Sequence, residues 1–375
     1  MKKVSLKFTF LVGVMILLGS CAGNIKQKEK QAAINSESPR RIEILFLGHN
    51  SEHHNSEKFV PMLAMPLFQK GINITYTEDT KDLNSENLGK YDGLMIYANQ
   101  VKLAPEEEAA LKAFVEEGKG LIPIHSASFM FQNSDWYIST VGAQFKSHRT
   151  GEFTAEIVKP DHPVMQSLSE FETWDETYVH EKINPDMTVL MERVENGHRE
   201  PWTWVRKQGE GKVFYTAYGH DERTWGNPGF QELIANGVLW AVNDKAKERL
   251  ARLDIPVPTF EDAEIPNYEQ RDPAPKFQHA LSPEQSQKLV QVPVDFELQL
   301  FASEPDIINP IAMAWDEKGR LFVIETVDYP NEVRDEEGEG NDRIKILEDT
   351  NGDGKADKVT VFADGLNIPT SVASS

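Results

Sequence analysis

The feature that most constrains the fold is a short apolar run that ends in histidine, within residues 119–129. Residues Leu121 to Ile124 are apolar at successive positions, which is typical of a strand covered on both faces in a parallel α/β sheet. Two further predicted strands also end in histidine, at His49 and His220. Ligands bind outside the carboxyl ends of the strands in open α/β sheets. The sequence therefore predicts a site at that edge, with His125 at its centre.

Composition limits the class of protein and of partner. The chain has 375 residues, of which 39% are apolar, so it is long enough for two or more domains with a real core. Its formal net charge is -21. This charge argues against nucleic acid as a partner, because nucleic-acid binding depends on lysine and arginine neutralising phosphates. A neutral or cationic ligand is expected instead.

The N-terminus has the pattern of an export signal. Three lysines in the first seven residues precede an apolar run at 8–18, and the only cysteine of the chain, Cys21, follows directly. The run is too short for a mature transmembrane helix. The pattern resembles a bacterial lipoprotein signal over residues 1–21, which implies lipidation of Cys21 and anchoring to the membrane of the cell envelope. The alternative is an ordinary secretory signal with a chance cysteine. Residues 22–40 are polar and aperiodic, as in a tether.

Residues 41–250 are predicted to form an α/β domain with a doubly wound, mostly parallel sheet. The order of elements up to His125 is β-α-β-β-α-β, with the clearest helix starting at Pro105. Beyond Gly151 the pattern loosens. We expect further strands there, joined by loops that carry the remaining polar candidates, namely His148, His162, Glu176, Tyr178, His180 and His198.

An ordered set of motifs in this domain points to a known family. They are Gly48-His49, Gly120-Leu-Ile-Pro-Ile-His-Ser126, Asp161-His-Pro163, Asp175-Glu-Thr-Tyr178, Tyr215-Thr-Ala-Tyr-Gly-His-Asp221, Trp225, Pro228-Gly-Phe230 and Asn236-Gly-Val-Leu-Trp-Ala241. This set resembles the trehalose-utilisation, or ThuA-like, family. The resemblance implies a flavodoxin-like fold related to class I glutamine amidotransferases. Those relatives carry a nucleophilic cysteine after a central strand, where this chain has His125 and Ser126, so amidotransferase chemistry is not expected.

The resemblance implies a role in carbohydrate catabolism, beside sugar oxidoreductases that make 3-keto sugars. Base-catalysed elimination from a 3-keto glycoside needs a base, an acid and groups that hold an enolate. We expect His125 and Glu176 to be the catalytic pair. The residues expected to bind the sugar are His49, Asn50, His148, Tyr178, His220, Asp221 and Trp225, the last by stacking. A rival hypothesis is a non-catalytic carbohydrate-binding module.

Two other interpretations of the histidines remain open. Each histidine could simply satisfy buried backbone groups at a strand end. Alternatively, several imidazoles with Glu176 or Asp221 could bind a divalent metal, although no tight His-x-x-x-His spacing supports this. The side chains of His53, His54, His162 and His198 are expected at the surface or in turns. Ser126 lacks the Gly-x-Ser-x-Gly context of a nucleophile.

The remainder of the chain changes character. Residues 251–280 form a proline-rich linker, and residues 281–375 are predicted to be mostly β. The stretch from Trp315 to Val323 and the later strands resemble the opening of a sugar-dehydrogenase-like β-propeller from envelope proteins with haem-binding tails. Only about one blade fits before Ser375, so this segment is expected to pack poorly on its own. The sequence has neither a Cys-x-x-Cys-His haem motif nor an NAD motif.

A turn in this last region has oxygen-bearing side chains at alternate positions. Asp349, Asn351, Asp353 and Asp357 surround two glycines, which suits calcium as in the first half of an EF-hand loop. The glutamate expected at the twelfth position is replaced by Thr360. The turn is therefore either a shorter calcium site or an acidic hairpin loop.

Overall fold

The structure is a computed structural model that describes residues 38–329 and 339–373. The chain divides into two compact units, Met1–Asp254 and Ile255–Ser375. The predicted signal and the lipidated Cys21 lie outside the described residues and stay predictions. No helix in the described part of the chain has both the length and the apolar character needed to cross a bilayer.

The first unit is built on an eight-stranded sheet. Its strand order is β2-β1-β3-β4-β10-β9-β8-β6. The first five strands run parallel, whereas β9, β8 and β6 pair antiparallel. The strands are β1 (Ile42–Gly48), β2 (Ile72–Thr77), β3 (Gly93–Tyr97), β4 (Gly120–Pro123), β6 (Glu156–Ile157), β8 (Thr188–Glu195), β9 (His198–Gln208) and β10 (Gly211–Thr216). The mixed α/β class with a large, mostly parallel sheet is thus confirmed.

Three of these strands are buried along their whole length and are apolar except for Glu43 in β1. Every residue of β1, β3 and β4 is buried, as expected for central strands covered on both faces. The helices that accompany the sheet are α1 (Ser56–Gln69), α2 (Ser85–Leu88), α3 (Pro105–Glu116), α4 (Asp135–Val141), α5 (Glu222–Trp225), α6 (Pro228–Ala241) and α7 (Asp244–Leu253).

The predicted order of elements is wrong at one point. A 3₁₀ turn (Thr80–Asp82) and the helix α2 lie between β2 and β3, where two consecutive strands are predicted. A four-residue helix is too short to show an amphipathic period, and its stability depends on local capping and on packing. The Asn84 side chain accepts a hydrogen bond from the Asn87 amide and caps it.

The region beyond residue 143 contains a second, two-stranded sheet that the sequence does not predict. It pairs β5 (Gln144–Thr154) with β7 (Glu172–Glu181), antiparallel. His148 lies on β5, and Glu176, Tyr178 and His180 lie on β7, so these residues are on strands rather than in loops. The strand β5 is mostly polar and exposed, which removes the alternation by which strands are recognised.

The second unit has little regular structure before residue 310. Within the predicted linker, β11 (Phe260–Asp262) and β12 (Lys276–Gln278) pair antiparallel, and the short helix α8 (Pro283–Gln287) follows behind a Ser282 cap. The alternation of Phe296, Leu298 and Leu300 predicts a strand, but residues 296–300 are not in one.

The rest of the second unit is a four-stranded antiparallel sheet in chain order. Its strands are β13 (Pro310–Trp315), β14 (Leu321–Glu325), β15 (Asp342–Glu348) and β16 (Lys358–Leu366). Its small core includes a cluster of Leu321, Val323 and Leu347, and Ile324 and Ile346 are also buried. These four strands agree with the β structure predicted for this part of the chain, whereas the resemblance to a propeller stays a prediction.

Candidate functional site

The site begins where β4 ends. His125 opens a 3₁₀ turn (His125–Ser128) with a positive φ of 50°, a left-handed conformation that is uncommon for a residue other than glycine. Its Nδ1 lies 2.7 Å from the carbonyl oxygen of Ala217, which follows β10. Since a carbonyl only accepts, Nδ1 carries the proton and donates it. The Nε2 atom therefore points in the opposite direction, toward β7.

Glu176 connects three imidazoles. Its Oε2 lies 3.2 Å from Nε2 of His125, and its Oε1 lies 3.3 Å from Nδ1 of His220 and 3.4 Å from Nδ1 of His148. Burial alone would raise the pKa of Glu176, but the contact with His125 and the charges of His125, His220 and His148 lower it to about 2. This carboxylate is therefore ionised.

The strand order explains why two of the three predicted histidines meet. Strands β4 and β10 are parallel neighbours, so His125 and His220, which follow them, lie at the same edge. Strand β3 separates β1 from β4, so His49, which follows β1, does not join this pair. The Nδ1 of His49 pairs with Oδ1 of Asn99.

His54 belongs to the site, although its sequence context predicts a position at the surface or in a turn. It lies between β1 and α1, is 8% exposed, and its ring meets the rings of His125 and His220 edge-on at 5.2 and 5.7 Å. Burial lowers the pKa of His54 to about 2, so its ring is neutral. The neighbouring His53 is exposed as predicted. Nothing in the local sequence distinguishes the two residues, and only the path of the loop does.

Four side chains converge on one point. One donor atom from each of His54, His125, Glu176 and His220 lies within 4.8 Å of the other three, and this set could hold a metal ion. We call these four residues the buried cluster.

The members of the buried cluster and His148 differ in accessibility. The side chains of His148 and His220 are 41% and 20% exposed, and that of Glu176 is 10% exposed. His125 has no exposed surface, so a sugar cannot reach its ring. The expectation that His125 acts as the base in contact with substrate is therefore revised, because the accessible imidazoles belong to His148 and His220.

Asp175 supports the site from beneath and is not among the predicted site residues. Its fully buried carboxylate accepts hydrogen bonds from the amides of Gly219 and His220, at 2.8 and 3.0 Å, and from the Thr224 hydroxyl at 2.8 Å. Burial raises the pKa of Asp175. This carboxylate holds the turn that carries His220 against the strand that carries Glu176.

Two aromatic predictions need correction. The Trp225 ring is 0% exposed and packs against Tyr97, Phe59 and Phe230, while its Nε1 donates to the Gly219 carbonyl. The expected stacking of Trp225 on a sugar is wrong, since neither ring face is accessible. The Tyr178 ring is 2% exposed and stacks on the His125 ring at 4.2 Å, so it supports that ring and presents almost no surface to a ligand.

Other predicted residues make local contacts. The side chain of Asn50 donates to Glu57 at 2.7 Å. Asp221 caps α5 and forms an ion pair with Arg223. Their predicted role in binding a sugar stays a prediction.

The predicted calcium turn shows an internally bonded loop. The Asp349 carboxylate accepts from the amides of Gly352 and Gly354, at 2.7 and 2.8 Å, and Asp357 accepts from Thr350. Asn351 and Asp353 likewise accept from backbone amides two residues on, at 2.9 Å each. Calcium binding at this turn stays a prediction.

Comparisons with family models give two matches. The model described as ThuA, trehalose utilisation, matches residues 43–241, and a domain of unknown function, DUF7133, matches residues 282–375. No curated protein sequence matches the chain.

Solved structures that resemble this chain include two ThuA-like proteins. One from Bacteroides uniformis is 19% identical, with 54% of this chain and 92% of that chain covered and a TM-score of 0.45. One from Parabacteroides merdae is 16% identical, with coverage of 54% and 90% and a TM-score of 0.47. A β-galactosidase from Bacillus circulans is 14% identical, with coverage of 54% and 31% and a TM-score of 0.39.

Proposed function

Since the chain belongs to the ThuA, trehalose-utilisation family, we propose that its first unit cleaves an oxidised disaccharide or glycoside by acid/base chemistry. The observation that carries this proposal is the pair of partly exposed imidazoles, His148 and His220, on the single ionised carboxylate of Glu176. Exposed imidazoles can exchange protons with a ligand near neutral pH. The shared carboxylate fixes their orientation.

A 3-keto glycoside suits these groups. A base removes the proton from C2, next to the carbonyl at C3, and the electron pair of the C2–H bond forms an enolate. The enolate expels the glycosidic oxygen from C1, leaving a C1=C2 double bond conjugated to the ketone, and an acid protonates the departing oxygen. Addition of water across the double bond completes a net hydrolysis. No oxidant or reductant is consumed.

The exposed fractions of the side chains support the following roles within the site. His148 is the most exposed of the imidazoles that contact Glu176 and serves as the base that takes the C2 proton. His220, which follows β10 and is 20% exposed, is the proposed acid that protonates the leaving oxygen. Asp175 and Tyr178 are positioning residues, because they touch the turn of His220 and the ring of His125 rather than the ligand.

The test is product release by the full chain from a panel of 3-keto disaccharides and their unoxidised parents. We expect turnover of the keto sugars alone, and a loss of about 100-fold or more in kcat for His148→Gln. His279→Gln is the matched control, since His279 is 51% exposed and its imidazole forms an ion pair with Glu261, as the imidazoles of the site do with Glu176.

Saturable sugar binding without turnover, unaffected by His148→Gln, would contradict the enzymatic proposal. That outcome would support the rival hypothesis of a carbohydrate-binding module.

A further inference from the structure

Three residues of the buried cluster have nitrogen atoms without a hydrogen-bond partner among the described residues. These atoms are Nδ1 and Nε2 of His54, Nε2 of His125 and Nδ1 of His220; the last two contact the Glu176 carboxylate at 3.2 and 3.3 Å but without the geometry of a hydrogen bond. A buried polar atom left unsatisfied costs about 1–3 kcal/mol. One donor atom from each of these three residues and from Glu176 lies close to the same point. A single group bound at that point would therefore satisfy all of them.

The Nδ1 proton of His125 indicates what kind of group the buried cluster binds. Its Nδ1 donates to the Ala217 carbonyl, so an Nε2 that carries no proton directs its lone pair at the Glu176 carboxylate, 3.2 Å away. Two electron-rich atoms at this distance repel each other unless a positive charge lies between them. A backbone carbonyl that accepts from the opposite nitrogen is the usual partner of a metal-bound histidine.

A shared proton does not account for the whole cluster. A proton between His125 and Glu176 satisfies two residues, but it leaves both nitrogens of His54 buried and without a partner. The imidazole ring of His54 forms no hydrogen bond with any described residue that would explain its burial. A metal ion takes one lone pair from each imidazole and a carboxylate oxygen.

We propose that His54, His125, His220 and Glu176 bind a divalent first-row transition metal ion, with zinc as its representative. Four donors about 2.1 Å from one ion lie about 3.4 Å apart in a tetrahedron. Glu176 contacts His125 through Oε2 at 3.2 Å and His220 through Oε1 at 3.3 Å, and one donor atom from each of the four residues lies within 4.8 Å of the others, so small side-chain movements would bring four donors to this spacing. Three imidazoles and one carboxylate form a ligand set that suits zinc, iron, cobalt or nickel better than magnesium or calcium.

This site goes beyond the proposed acid/base function. A bound divalent ion polarises a carbonyl oxygen, which would assist formation of the enolate from a keto sugar. That consequence rests on the proposed function, whereas metal binding itself does not. His148 is not part of the ligand set and retains its role as the exposed base, whereas His220 is a ligand here and, with an ion bound, would no longer supply the proton to the leaving oxygen.

Isothermal titration of the full chain with Zn²⁺, after treatment with a chelator, tests the site without any sugar. We expect about one Zn²⁺ per chain, retained through gel filtration and counted by mass spectrometry of the metal. His54→Gln should weaken binding at least about tenfold. His53→Gln should bind as the wild type, because His53 is the exposed neighbour of His54.

Further measurements test whether the variants fold and whether the metal binds at this site rather than elsewhere on the chain. Circular dichroism reports whether His54→Gln folds, and His220→Gln, at a partly exposed position, provides a second ligand variant. Co²⁺ bound by the wild type should show the visible absorption of a low-coordinate site, which both ligand variants should lose.

The proposal is overturned if the chain retains no metal, or if folded His54→Gln and His220→Gln bind Zn²⁺ as tightly as the wild type. Failure of metal binding with turnover of keto sugars intact would overturn this site and leave the proposed function standing. Metal binding without turnover of keto sugars would support this site and contradict the proposed function.

Discussion

At the scale of single residues, the site depends on a carboxylate that never meets a ligand. Asp175 is fully buried and accepts from three backbone amides and one hydroxyl. Two of the amides belong to the turn of Gly219 and His220, so this one side chain fixes where the His220 imidazole lies. Tyr97 adds a second restraint, because its hydroxyl donates to the His220 carbonyl at 3.2 Å.

We expect Asp175→Asn to reduce the free energy of unfolding by about 2 kcal/mol, since an amide nitrogen would face backbone N–H groups that need an acceptor. The displaced His220 should also weaken Zn²⁺ binding about tenfold. Chemical denaturation and metal titration measure the two effects. Asp221→Asn is the control, because asparagine caps a helix as well as aspartate does. Unchanged metal affinity in Asp175→Asn would show that Asp175 is only structural.

Residue-level prediction from the sequence succeeds where a residue follows a buried strand. His125 and His220 can be located because the apolar runs before them indicate strand ends, and parallel neighbours bring such ends together. His54 cannot be located in this way, because its burial depends on the path of the loop between β1 and α1 in the folded protein. Trp225 is misassigned because a tryptophan in the core and one in a binding site have the same local sequence.

At the scale of elements, the helix α6 packs closely on the sheet beside the site. A Cβ atom at Gly237 would lie 2.5 Å from the ring of Phe214 on β10. The Phe214 ring is fully buried and cannot move away without disturbing the core. The same strand leads into the turn that carries His220.

Gly237→Ala should therefore destabilise the first unit by about 1–3 kcal/mol, as overpacking of a dense core does. Thermal unfolding followed by circular dichroism measures this change. Gly226→Ala is a milder comparison, because the nearest atom to a Cβ there is a carbonyl oxygen at 3.1 Å. Equal melting temperatures for Gly237→Ala and the wild type would contradict the packing argument.

At this scale, strands that are buried on both faces can be predicted from the sequence, and exposed polar strands cannot. The strands β1, β3 and β4 are predictable because their apolar runs reflect cover on both faces. The pairing of β5 with β7 is not, since two partly exposed, polar strands leave no apolar pattern. As a result, the sequence indicates two of the histidines but not the strand geometry that brings Glu176 and His148 to them.

At the scale of the whole molecule, the two units differ in how much apolar surface they bury. The central strands of the first unit are fully buried, whereas the core of the second unit is centred on Leu321, Val323 and Leu347. Large side chains of its sheet are exposed, including Met313 at 69%, Trp315 at 52% and Phe362 at 62%. A sheet with so little buried area has a small free energy of local opening.

We expect the amides of β13 to β16 to exchange hydrogen with solvent much faster than those of β1, β3 and β4. Hydrogen exchange of the full chain, read by mass spectrometry of its peptides, measures both sets in one sample. The strands of the first unit are the internal control for conditions. Equal protection in the two sheets would contradict this expectation.

The most direct measurement is sugar release from a 3-keto disaccharide by the full chain after metal removal and after return of Zn²⁺. The account predicts little release without metal, recovery when Zn²⁺ is returned, and none from the unoxidised parent in either state. Equal turnover with and without metal would contradict a catalytic role for the bound metal ion. No release from the keto sugar in either state would contradict the claim that His148, His220 and Glu176 form a catalytic centre.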